Sequence, residues 1–161
     1  APRQTQFVIP TATPQPTEAV PTETPTMTAT PTPTPEAPSG TVIGSGSFDS
    51  STGVGLNTHT AWTAAEQADG SVKLTLSVYV RSYTLEIGQR SIAISVNGAT
   101  SGGLTRSFSV DSPNSQTDTL IYTYSTTVQK GSAVSVSVDW NYKGQYSGRD
   151  LDVISSSSSI F

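Results

Sequence analysis

The chain has 161 residues, a formal net charge of −4 and no cysteine. Without cysteine there are no disulfides and no thiolate metal sites, and Lys and Arg scattered singly do not make the dense basic face that duplex binding requires. No run approaches the roughly 18 consecutive apolar residues of a membrane-spanning helix.

Composition divides the chain near Gly40. All but one of the 11 prolines precede it, while both tryptophans and all six tyrosines follow it. From Thr11 to Pro38, 18 of the 28 residues are threonine or proline. Proline fixes φ and removes an amide donor, so neither helix nor central strand forms there. Few side chains are large enough to offset the entropy of ordering. Residues 1–40 are therefore expected to be a disordered Thr/Pro-rich stalk biased to polyproline II, extending about 3.1 Å per residue. A role as ligand for PxxP-binding modules needs basic flanks, and Arg3 is far from the repeats. The tract reads as a spacer and as a candidate for O-glycosylation; no Asn-x-Ser/Thr sequon occurs. Ala1-Pro2-Arg3-Gln4 lacks the pattern of a secretory leader. A leader or membrane anchor is expected outside this chain, with Phe7-Val8-Ile9 as a candidate edge of it.

Residues 41–161 carry the strand signal. Apolar residues recur at Val72, Leu74, Leu76, Val78 and Val80, and again at Val134, Val136, Val138, Trp140 and Tyr142. This period of two marks strands buried on one face. Shorter versions occur at Ile92, Ile94 and Val96, then at Leu104, Phe108 and Val110. Leu120, Tyr122, Tyr124 and Val128 share one parity. Asp69-Gly70 and Asn97-Gly98 suit type I′ hairpins. Gly102-Gly103, Ser112-Pro113-Asn114, Lys130-Gly131 and Lys143-Gly144 read as further turns. The expectation is an all-β, antiparallel, immunoglobulin-like or jelly-roll-type sandwich of about seven to nine strands over 41–161.

The succession Ala61-Trp62-Thr63-Ala64, Leu74–Val80 with Arg81-Ser82-Tyr83, then Arg90–Val96 with Asn97-Gly98 carries a resemblance. So do Thr105–Val110 with Phe108, and Val134–Trp140 with a glycine-rich tail. Together they resemble immunoglobulin-like β-sandwich modules of tail-fibre and host-specificity proteins of bacteriophages. The Thr/Pro stalk departs from the phage setting and is similar to the linkers of bacterial surface proteins. The resemblance implies a structural or adhesive module.

Catalytic equipment is sparse. His59 is the single histidine, and no Gly-x-Ser-x-Gly elbow at a strand-to-helix turn accompanies it. His59 reads as an ordinary surface or half-buried strand residue. Glu66 and Glu86 flank predicted turns and make a poor glycosidase pair. Gly44-Ser45-Gly46 lacks a βαβ setting and reads as a flexible entry to the first strand. Asp150 and Asp152, with Asp49, fall short of the six to eight oxygens of a calcium site. The remaining candidate is an aromatic platform: Tyr79, Arg81 and Tyr83 have the parity opposite to the Val72–Val80 row. There the rings would stack on sugar faces and the guanidinium would bond hydroxyls. Trp62 and Trp140 share parity with the core.

These residues lead to a non-catalytic, secreted or surface-displayed bacterial accessory module for adhesion, spacing or recognition. It would need no cofactor or metal, bind no nucleic acid, and take polysaccharide or another surface protein as partner. A carbohydrate-binding module attached to an enzyme is the alternative, and a phage tail structural module a further one.

Overall fold

A computed structural model of the protein describes residues 34–161, and the expected disorder of residues 1–33 lies outside the described residues. Ten strands follow one another: β1 Thr41–Asp49, β2 Asn57–Glu66, β3 Val72–Ser82, β4 Leu85–Ile87, β5 Ser91–Val96, β6 Ala99–Leu104, β7 Phe108–Val110, β8 Thr117–Val128, β9 Val134–Tyr146 and β10 Arg149–Ile160. They form two four-stranded sheets, β1-β2-β3-β8 and β10-β9-β5-β6, and a ribbon of β4 with β7. Every pairing is antiparallel.

The two central rows behave as their alternation predicts. Val72, Leu74, Leu76, Val78 and Val80 from one sheet, and Val134, Val136, Val138, Trp140 and Tyr142 from the other, are all buried in one core with Ile92, Ile94, Val96 and Ile154. Burial of each aliphatic side chain contributes roughly 1.5–3 kcal/mol. These rows hold the sheets face to face.

Ten strands exceed the expected seven to nine for two reasons. The crossovers between the sheets pair with each other, Leu85 with Val110 and Ile87 with Phe108, which adds two three-residue strands. The serine-rich tail is also a strand: Ser155–Ser159 pairs in register with Ser135–Asp139 of β9.

Other local expectations are corrected. At the β3–β8 pairing the register slips between Val78 and Tyr79, so that Tyr122 and Leu120 are consecutive partners. Ile121 is the extra residue of a β-bulge; it joins the core, and Leu120 leaves the parity of Tyr122 and Tyr124. Leu104 is 63 % exposed, because it pairs with the exposed Ser91 on the outer face of the second sheet, while Gly103 takes the inward position beside Ile92. Asn97-Gly98 is the expected two-residue hairpin, with φ of 50° and 82°. At Asp69-Gly70 only Gly70 has positive φ, and its amide bonds Gln67 O at 3.0 Å, which makes a three-residue loop. Gly102-Gly103 lies inside β6, and Lys143-Gly144 lies inside β9, whose hairpin closes further on at Ser147-Gly148.

Gly44 and Gly46 are strand residues rather than a flexible entry. A Cβ on Gly46 would lie 2.9 Å from Trp62 Nε1. The half-buried Trp62 ring thus lies across the bare backbone of β1, with Phe161 edge-on at 5.4 Å.

The register defines two poles. Thr41, the 67–71 loop, Asn97-Gly98 and the 129–133 loop share one end. The β4–β7 ribbon, the 50–56 and 111–116 loops and the Ser147-Gly148 turn share the other.

Candidate functional site

Tyr79 and Arg81 lie together on the outer face of the first sheet, as the alternation of β3 requires. Pairing across β1, β2, β3 and β8 brings Asp49, His59, Tyr79 and Leu120 into one row, with Arg81 and Asp118 in the row beside it. His59 Nδ1 donates to Asp49 Oδ1 at 2.7 Å, and the His59 and Tyr79 rings lie 6.1 Å apart. Arg81 donates from Nε to Asp118 Oδ1 at 2.8 Å and from Nη2 to Oδ2 at 3.0 Å. Its Nη1 is 3.5 Å from Asp49 Oδ1. The Arg81 bonds hold the Asp118 carboxyl below its ordinary range, against a smaller opposing effect of partial burial. The Arg81 fork is engaged by two carboxylates, so a hydroxylated ligand would have to displace one of them.

The last stalk residues reach the same face. Glu36 accepts hydrogen bonds from Lys73 Nζ and from Ser125 Oγ, the latter at 2.8 Å. The Lys73 bond, followed by the Ser125 bond, lowers the Glu36 pKa. Pro35 borders a groove shared with Tyr79, Arg106 and Leu120. Residues 34–40, expected to stand clear of the sandwich, thus form an exposed strap across β3 and β8.

Tyr83 is elsewhere. β3 ends at Ser82, and Tyr83 turns out at the loop pole, 39 % exposed. Its backbone N–H donates to Tyr146 Oη at 3.1 Å. Its ring rests on Gly55, where a Cβ would sit 3.2 Å from the Tyr83 ring. The structure brings Tyr79 and Arg81 together and places Tyr83 in a different cleft, with Tyr146, Glu86, Gln145, Val54 and Pro113.

The other titratable candidates are dispersed. Glu66 accepts from Lys130 Nζ at 2.8 Å at the stalk-side end of β2, whereas Glu86 lies on β4 at the opposite pole. They do not face one bond. Asp150 receives the Gln145 amide at 3.3 Å, and Asp49 belongs to the His59 row.

Sequence reasoning missed the partners of Arg81, because Asp49 and Asp118 come into reach only through cross-strand register. It also missed Tyr146, whose role depends on β9 continuing past Lys143-Gly144. No protein-family profile, no curated protein and no solved structure matches this chain.

Proposed function

We propose that this chain is a non-catalytic accessory module of the bacterial cell envelope, presented outside the cytoplasm on a Thr/Pro-rich stalk for adhesion or recognition. The observation that carries this reading is the junction. The stalk composition favours an extended, solvated tract, and its last residues are clipped to the sandwich through Glu36, Lys73 and Ser125. That arrangement suits a folded unit held away from its anchor. The polar chemistry of the outer face supports the same reading, since His59, Asp49, Arg81 and Asp118 are bonded to one another.

Small-angle scattering and an activity screen test this function. A compact chain of this length would have a radius of gyration of about 15 Å. The full chain is expected to exceed that clearly, while residues 34–161 do not and melt at the same temperature as the full chain. A compact full chain would remove the stalk. Ester, peptide or glycoside turnover that disappears in His59→Ala would overturn the non-catalytic role.

A further inference from the structure

We infer that the cleft at the loop pole is a binding site for a neutral polysaccharide, with Tyr83 and Tyr146 as its aromatic contacts. The inference rests on the accessory-module reading and gives that module its ligand class.

Three elements build the cleft. β3 stops at the fully buried Ser82, which turns Tyr83 outward at the rim. β9 continues through a bulge at Lys143, where φ is 45°, and brings Gln145 and the half-buried Tyr146, which also packs against the core, to the same level. The ribbon strand β4 contributes Glu86 beside them. The bond from the Tyr83 N–H to Tyr146 Oη ties the two aromatic residues together. Gln116 Nε2 donates to Gly55 O at 2.9 Å and fixes the loop on which the Tyr83 ring rests. The aromatic wall is therefore held in place before a ligand arrives, which reduces the ordering cost of binding.

The polar groups select the ligand. The Glu86 side chain is exposed and, among the described residues, its carboxylate has no hydrogen-bond or ion-pair partner. It is an acceptor for hydroxyl donors. The Gln145 amide and Tyr146 Oη supply further polar contacts, and Val54 and Pro113 complete an apolar wall. Sugars match this chemistry, with C–H faces for rings and hydroxyls for carboxylate and amide. The lining includes one glutamate and no lysine or arginine. An anionic polymer would meet the Glu86 carboxylate with no lysine or arginine in the lining to offset it, so a neutral polysaccharide is favoured.

Affinity electrophoresis of the full chain in gels containing laminarin, xylan, hydroxyethylcellulose or polygalacturonate tests the site, with melting temperatures taken in parallel. At least one neutral polymer is expected to retard the chain, with a dissociation constant on the order of micromolar to millimolar, and polygalacturonate to leave it unretarded. Tyr83→Ala and Glu86→Gln are each expected to weaken retardation about tenfold with little change in melting, and Tyr79→Ala to leave it intact. Should Tyr83→Ala unfold the domain, Glu86→Gln still reports on the exposed rim. The site is refuted if no neutral polymer retards the chain, if polygalacturonate does, or if Tyr79→Ala abolishes retardation while Glu86→Gln does not. Failure on every glycan with an extended, inactive full chain would remove the ligand class and leave the accessory-module reading in place.

Discussion

In the second sheet the inward row of β9 is Val134, Val136, Val138, Trp140 and Tyr142, all buried. The inward row of β2 in the first sheet reads Thr58, Thr60, Trp62 and Ala64, with the Thr58 and Thr60 hydroxyls buried and without hydrogen-bond partners. The outer faces diverge further. The outer face of β9 and β10 presents mainly short polar side chains, Ser135, Ser137, Ser155, Ser157 and Ser159 with Asp139, whereas the first sheet carries the His59–Arg81 network and the strap from Glu36. The second sheet is built for burial. Both sheets bury unpaired polar atoms, Trp140 Nε1 and Ser156 Oγ in the second, but the first does so at two successive inward positions of one strand, while its outer side chains hold one another and the chain entry. Where a fold breaks its own local rules, a site-related role is the usual place to look.

The largest effect should come from the sheet built for burial. Trp140→Ala is expected to cost about 3–5 kcal/mol through lost burial and a residual cavity. Trp140→Phe should cost clearly less, because Trp140 Nε1 has no hydrogen-bond partner to lose. Equal losses in denaturant titrations would show that the indole N–H has a role the contacts do not reveal.

The reverse sign is expected on β2. Thr60 is 0 % exposed and its hydroxyl unpaired, so Thr60→Val should stabilise the sandwich by about 1 kcal/mol. A lower denaturation midpoint in that variant would mean that the first sheet's inner face is not the weaker one.

The smallest effect belongs to the outer network. Asp118 has a folded pKa below its ordinary value of 3.8, chiefly because Arg81 donates to it. Its contribution is therefore present above that value and is lost as the pH falls through the lower folded pKa. The two side chains are 35 % and 38 % exposed, so solvent screening keeps the contribution below about 1 kcal/mol. Asp118→Asn should flatten part of the acid limb of the stability curve. Acid limbs that coincide for the variant and the parent would remove the ion pair from the stability of the first sheet.

Much of this comparison was readable in the sequence, but unevenly. β3 and β9 announce themselves because five apolar residues alternate in each. β10 does not, since Ser155–Ser159 has neither β-branched nor aromatic side chains and becomes a strand only by pairing with β9. Alternation alone puts Leu120 on the wrong face, because the bulge at Ile121 reverses parity without a Gly or Pro signal. The candidate site followed the same logic. Tyr79 and Arg81 were legible from alternation within one strand. Tyr83 left their face where the strand ended, and Asp49, Asp118 and Tyr146 depended on pairings between distant segments.

The antiparallel register also fixes how the molecule would bear a load. Thr41 stands at one end of the sheets and the Tyr83–Tyr146 cleft at the other. Tension applied between the stalk side of the chain and that cleft would run parallel to the strands. The β1–β2 pairs, from Thr41 with Glu66 to Asp49 with His59, then resist together in shear instead of parting one at a time. Upstream of them the exposed strap, held through Glu36 to Lys73 and Ser125, would peel first. A short extension step ahead of the main rupture in single-molecule pulling would be its signature, and the strap would act as slack that protects the sandwich.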